Sequence, residues 1–496
     1  MKFCTRLQVL KLLAWLLFTC IGFKLVMLKW RLMDTYPASY NRLSTQQIIN
    51  YSMQPSNEMH QLEQLLQANK QHNWSPGCAP YPLYDNLHLE QTYFQFVQGG
   101  NDTYHLYSAH YDNRKAVANA PRVVVLGMVS NILGPYSDGY CQLWYEHSDR
   151  PDIVPMLAPE IVWYKEWGHG GTHVYPALMT CPLLKSPRRY RVPQLVSIVF
   201  GEPCAKANNA LLVGYEAPQR NRSTRFAVCV KDLEFPKEDR SDRFVEWLEL
   251  MRLLGAERVT AYNTGADKLM PNTWRTLNFY AQQDGLLQLR DYKLLEGHPL
   301  PGDNFWLLRC LNEVLMYLDC LYRSMYNFDY VGVFDVDEVI MPLGKFHNWH
   351  TLLEHLEQNS SLSTDNCKAR TSYCFRNVYF SKELPEDETP PANFYMLRHV
   401  RRVAQHLDTV SAIKCLHSTA YSTAVHNHFT FYWEEACGPF DVPTAIGQMQ
   451  HYREPDIKET LTLPTPVRDD NIWRFKDHLI SRAHAIHRLL GGGNLP

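Results

Sequence analysis

Between residues 226 and 334 short apolar strands alternate with helices, and no other feature of this 496-residue chain constrains its fold as much. "FAVCV" (226–230) reads as a strand, and Ser241 can cap the helix "DRFVEWLELMRLL", which Gly255 ends. "RVTAYN" (258–263) is the next strand, a helix falls in roughly 266–283, and "LLQLRDY" (286–292) follows. Pro301, Gly302 and Asp303 then open a long amphipathic helix. Its Leu307, Leu308, Leu311, Leu315, Leu318, Tyr322 and Met325 share one face. That helix delivers the chain to "DYVGVFDVDE". The order β-α-β-α-β-α-β predicts an α/β fold with a mostly parallel sheet and right-handed crossovers. Such sheets take their ligands at the carboxyl ends of the strands.

The fourth strand runs straight into Asp335, Asp337 and Glu338. Strand residues i and i+2 point to the same side, so the two aspartates can converge. Carboxylates that close repel one another unless a proton or a metal ion lies between them. Three chemistries fit. A nucleotide-sugar transferase must let a diphosphate leave, and a divalent ion on carboxylate oxygens neutralises it; Asp337 would bind the metal and Asp335 the ribose or the metal shell. A phosphatase of the haloacid dehalogenase kind would use Asp335 as nucleophile and Asp337 as acid/base. That motif normally ends the first strand of its domain, however, and here it ends about the fourth. In the third case the acids cap a turn or hold a structural calcium, although no EF-hand loop is present.

The flanking sequence points to the secretory pathway. Residues 1–11 read as a cytoplasmic tail and 12–30 as an uncleaved signal anchor, with Lys11 and Lys24 snorkelling to lengthen its apolar run; a cleaved signal peptide is the alternative. Residues 31–77 are polar and Gln-rich, a stem in which a helix around Leu62, Leu65 and Leu66 would be marginal alone. Asn-x-Ser/Thr sequons begin at Asn50, Asn73, Asn101, Asn221 and Asn359. Without Cys4 and Cys20 eleven of the thirteen cysteines remain, an odd number that leaves at least one outside intramolecular disulfides. No Cys-x-x-Cys pair suggests a zinc ribbon. A formal net charge of −2 gives no electrostatic case for a nucleic-acid partner.

From 78 to 216, "RVVVLGMV", "EIVWYKEW" and "QLVSIVF" predict a β-rich, sandwich-like domain whose Trp and Tyr residues serve as core or as a sugar-binding platform. A terminal helix opened by Asp469 or Asp470 and closed by Gly491 occupies most of 456–496.

The stretches "FAVCVKDLEFP", "RFVEWLELMRLLGAERVTAYN", "LDCLYRSMYNFDYVGVFDVDEVIMP", "AIKCLHSTAYSTAVHNH" and "MQHYRE" come in this order over about 230 residues. As a set they resemble glycosyltransferase family 92. The resemblance implies a GT-A catalytic domain over 225–455 in a type II, single-pass Golgi membrane protein. It also implies inverting β-1,4 transfer of galactose from UDP-galactose, with Mn²⁺ (or Mg²⁺), to a glycan acceptor. The acceptor would be fucose or galactose of a glycoprotein, or a glycolipid. A homodimer is left open. Asp335 and Asp337 would then bind metal and nucleotide, with His451 as a further metal ligand, since a neutral imidazole suits Mn²⁺. His426 and His428 are weaker candidates. Lys414 and Arg453 could neutralise the diphosphate, and Glu338, Glu434 and Glu435 are candidates for the general base. A lectin-like protein with an inactive second domain is the non-enzymatic alternative.

Overall fold

Helix α4 (Phe305–Ser324) lies between two sheets and is buried on every side from 311 to 322. The computed structural model describes residues 57–69, 78–169, 173–217, 223–265, 268–295, 305–358, 367–461 and 464–491. The segments expected to form the cytoplasmic tail and the anchor, most of the segment expected to form a stem, and the sequons at Asn50, Asn73, Asn221 and Asn359 lie outside them. Among the described residues no helix is long and apolar enough to cross a membrane.

The part of the stem that is described, helix α1 (Asn57–Ala68), packs on the body. Leu62 and Leu66 bury against Trp144 and Leu195, and Glu58 pairs with Arg290 (2.6 Å) and Arg323 (2.8 Å). Docking supplies the stability that a helix of this length lacks alone.

Ten strands then form the first sheet: β1 (Leu89–Gln91), β2 (Phe94–Gly99), β3 (Asp102–Asp112), β4 (Arg122–Val129), β5 (Gly139–Trp144), β6 (Asp152–Pro155), β7 (Glu160–Ile161), β8 (Tyr175–Pro182), β9 (Leu195–Phe200) and β10 (Leu211–Gly214). Its order, β6-β5-β9-β10-β3-β4-β8-β7, curls so that β5 and β8, which do not pair, are joined by Cys141–Cys181.

The second sheet begins with β11 (Phe226–Asp232), then α2 (Ser241–Leu254), β12 (Ala256–Asn263), α3 (Pro271–Phe279), β13 (Leu287–Asp291), α4 and β14 (Tyr330–Val333). The predicted alternation is present, with two local differences. Ser241 is the first helical residue rather than the cap, and its N–H is taken by Asp239 Oδ1 (3.0 Å). The helix expected over 266–283 starts at Pro271, where proline suits the first turn, and unwinds after Phe279 into one wide turn ended by Gly285 (φ 83°). Gly255 terminates α2 as expected, with φ 116°.

Strands β13, β12, β11 and β14 are parallel neighbours in that order. The chain builds outward on one side of β11 and then crosses to its other side, so the topological switch point lies between β11 and β14. Beyond β14 the sheet turns antiparallel through β19 (Lys414–Ser418), with β16 (Ser372–Phe375) and β22 (Phe440–Asp441) outside it. Strand β15 (Glu338–Pro342) pairs instead with β23 (Gly447–His451), beside β17 (Asn377–Tyr379). A two-residue pair, β18 (Arg401–Arg402) with β24 (Val467–Arg468), and the hairpin of β20 (Ser422–Val425) and β21 (Thr430–Trp433) complete the strands. Three more helices, α5 (Trp349–Gln358), the short α6 (Tyr395–Arg398) and α7 (Lys476–Leu489), pack at the periphery.

The amphipathic reading of α4 needs revision, because its polar side is buried and satisfied. Asn312 accepts from Tyr292 (2.9 Å), Glu313 faces Lys231 (3.4 Å), and Asp319 accepts from Ser108 and Tyr262 (2.8 Å each) and pairs with Arg323 (2.8 Å). Cys229–Cys320 ties the helix to β11. Among the described cysteines five disulfides form and Cys310 is free, in keeping with the odd count.

Gly332 of β14 shapes the approach to the acidic segment. A Cβ there would come within 2.4 Å of the Phe334 ring, itself buried against Trp349. Gly332→Ala is therefore expected to destabilise the protein by about 1–3 kcal/mol through overpacking. Urea unfolding reads the loss, and a variant as stable as the parent would show that Phe334 has room to move.

Candidate functional site

The carboxyl ends of β11 and β14 open on a cleft of about 180 Å³. Strand β14 stops at Val333, so Asp335 and Asp337 stand in a turn and not on a continuing strand. The turn closes on itself: Glu338 N–H donates to Asp335 O (3.0 Å), and Asp335 N–H donates to Glu338 Oε2 (2.8 Å). Strand alternation thus does not explain the convergence of the aspartates. The tight turn does, and both side chains line the cleft, 26% and 27% exposed. From α2, Trp247 Nε1 donates to Glu338 O (3.0 Å) and fixes where β15 begins.

Lys231, at the end of β11, holds Asp335. Its Nζ lies 3.4 Å from Asp335 Oδ1 and 3.4 Å from Glu313 Oε2. Burial alone would raise the Asp335 carboxyl, but Lys231, then Lys414 and His451, hold it well below the usual carboxylate range. Asp337 is also lowered, with burial opposing and His451 prevailing. Asp232 and Glu313 go the other way, raised chiefly by burial.

His451 ends β23 opposite Glu338 in the register. Its Nε2 lies 3.7 Å from both Asp337 Oδ1 and Glu338 Oε1, too far for hydrogen bonds, and its ring stacks on Tyr379 (5.5 Å). Its buried Nδ1 has no hydrogen-bond partner among the described residues. Those residues contain no ready-made cluster of three His, Cys, Asp or Glu side chains around a metal position. Asp335, Asp337 and His451 line the same cleft, where a divalent ion would need phosphate oxygens and water to complete its shell.

The remaining candidates divide. Arg453 lines the cleft beside Asp456, its guanidinium 5.8 Å from the Tyr379 ring centre. Lys414 is fully buried behind Glu338, donating to Glu338 Oε2 (2.9 Å) and to Asn427. Glu338, engaged by Lys414 and by the Asp335 N–H, is buried as well. Glu434 accepts from Ala118 N–H (2.6 Å) and faces Arg122 of the first sheet, and Glu435 is exposed with a left-handed backbone (φ 51°). Neither glutamate lines the cleft. His426 packs on Trp167, and His428 meets Ile413 O (3.1 Å).

Sequence reasoning overlooked Lys231, Asp232, Arg240 and Arg309. Four carboxylates (Asp232, Glu234, Asp335, Asp337) face four cations (Lys231, Arg240, Arg309, Arg453) across the cleft. The strand-end rule already applied to β14 would have found the first two residues had it also been applied to "FAVCVKD".

The profile of glycosyltransferase family 92 matches residues 224–484, more than half the chain, and takes in the whole second sheet and the cleft. No curated protein matches the chain significantly. Similar solved structures include TarS of S. aureus, residues 1–349 (11% identity, 53% of this chain and 72% of that one, TM-score 0.23). An active-site mutant of LgtC shares 10% identity over 52% of this chain and 95% of that one (TM-score 0.20). The bifunctional glycosyltransferase WbbM, in its apo form, shares 13% over 36% and 28% (TM-score 0.16). The assignment rests on the profile alone: the chain belongs to glycosyltransferase family 92.

Proposed function

We propose that this glycosyltransferase moves galactose from UDP-galactose to a glycan acceptor, forming a β-1,4 linkage with inversion and depending on Mn²⁺ or Mg²⁺. The observation that carries the metal-dependent part of the reading is the meeting of Asp335, Asp337 and His451 at the switch-point cleft, while the donor and the linkage rest on the resemblance to the family. Asp335, Asp337 and His451 would hold the ion, which when bound neutralises the diphosphate as its bond to the sugar breaks. Lys231, itself paired with Glu313, keeps Asp335 in place, and His451 lowers the Asp337 carboxyl. Arg240, Arg309 and Arg453 supply cations to phosphate oxygens. A dianionic diphosphate with a divalent ion is neutral overall, which suits a cleft whose own charges balance. The family sets this reading apart from the phosphatase alternative.

The decisive experiment measures UDP release by the purified protein across a panel of UDP-sugars, with and without Mn²⁺. Release from UDP-galactose with the metal is expected. Equal release under chelation would overturn the metal, and preference for another UDP-sugar would overturn the donor.

We further propose a Golgi location with the catalytic part luminal. Asn101 is the sequon among the described residues, exposed in the two-residue Gly100-Asn101 turn between β2 and β3. Secretory-cell expression is expected to place an N-glycan there. Asn101→Gln should then lose one glycosidase-sensitive mobility step, and an unchanged ladder would contradict luminal use of this site.

A further inference from the structure

An aromatic surface is linked to the donor cleft through the buried Lys414–Glu338 pair. Tyr164 and Trp167 stand 45% and 37% exposed on a single turn after β7. Their rings lie 4.8 Å apart, edge to face, and the turn is braced by Trp163 Nε1 donating to Gly168 O (3.0 Å). Beneath them the β20–β21 hairpin presents Phe429 and Phe431 on one face. Tyr164 packs on Phe431 at 4.6 Å and Trp167 on His426 at 4.8 Å. The two exposed charges on the turn, Lys165 and Glu166, cancel. Rings this large, left open to water on a rigid turn, suit a ligand with an apolar face and no net charge.

Two contact paths join this surface to the cleft. Along the first, His426 and Asn427 sit in the hairpin turn, Asn427 accepts from Lys414, Lys414 pairs with Glu338, and Glu338 accepts the N–H of Asp335. Burial, then Lys414 and Lys231, push the His426 imidazole down to about 3, so it stays neutral and adds no charge to the surface. Along the second, a Cβ at Gly168 would lie 3.3 Å from Leu307 of α4, and Arg309, two residues on and on the other side of the helix, lines the cleft, so the helix stands between the two.

We propose that Tyr164 and Trp167, backed by Phe429 and Phe431, form an outer acceptor subsite and stack on the apolar C–H face of a neutral hexopyranose of the acceptor glycan. The inference rests on the galactosyl-transfer reading only for where the donor lies. It extends that reading by giving the strands of 89–214 a part in choosing the acceptor.

The test is a binding titration on the full chain in detergent without donor, following saturation transfer to methyl β-D-galactopyranoside. Its C–H bonds at positions 3, 4 and 5 form one apolar face. Wild type should saturate the ring C–H protons, Trp167→Ala and Tyr164→Ala should each weaken binding about tenfold, and Trp167→Phe should restore most of it. Wild-type affinity in both alanine variants, with thermal melts showing them folded, would overturn the proposal, as would absence of binding to wild type. UDP release from UDP-galactose by wild type without acceptor is measured separately, so a failed donor reading leaves the binding result intact.

Discussion

On the proposed reading, Asp337→Asn should lower manganese-dependent UDP release from UDP-galactose by about a thousandfold while leaving the protein folded, the scale expected when one preorganised electrostatic group is removed from a transition state. The substitution keeps the size of the side chain and removes its charge. The backbone bond from Tyr452 N–H to Asp337 O (2.8 Å) does not involve the carboxylate, so the turn persists. Because His451 lowers the Asp337 carboxyl in the folded state, its charge contributes stability above the usual carboxylate range and loses it as the pH falls through the depressed value. The side chain is about one-quarter exposed, so that contribution is discounted to about 1 kcal/mol or less. Turnover should therefore collapse with only a small shift in melting temperature. Asp335→Asn should lose both, since it also leaves Lys231 facing Glu313 alone. A folded Asp337→Asn variant within tenfold of wild type would remove Asp337 from the chemistry.

The parts legible from sequence are those set by local order. The β-α alternation from Phe226 to Val333 needs only hydrophobic periodicity and glycine punctuation, and Gly255 ends its helix where the pattern says. Asp335 and Asp337 were visible because an apolar run that stops at carboxylates is chemically unusual. What stayed hidden depends on partners far along the chain. Asp319 reads as the solvent face of an amphipathic helix until Ser108, 211 residues away, is seen donating to it. Lys231 reads as an ordinary polar end to a strand, and only the pairing of β11 with β14 brings it against Asp335. Glu434 and Glu435 follow an aromatic run that suggests a sugar site, yet the hairpin turns Glu434 toward Ala118 and Arg122. Pattern gives an element's type, whereas register decides which of its charged residues share a cleft.

Lys414 is the sharpest instance, and its substitution should have the largest effect on stability. From sequence it was a candidate phosphate-binding cation, but its ammonium is fully buried and held by Glu338 Oε2 and Asn427. Lys414→Met leaves the Glu338 carboxylate 2% exposed, with the Asp335 N–H as its hydrogen-bond donor. Breaking a buried ion pair from one side costs about 3–5 kcal/mol, a large part of the ~5–15 kcal/mol that holds a domain together. Lys414→Met/Glu338→Gln removes both charges and keeps an acceptor for the Asp335 N–H, so most of the loss should return. Urea unfolding of the four proteins gives the coupling energy directly. A single variant within about 1 kcal/mol of wild type would show that the pair is not buried as described. Turnover of the double variant then tests the role of the pair. If the pair serves only the acidic turn, activity recovers with stability; a double variant that folds and stays inactive would place Lys414 or Glu338 in the chemistry.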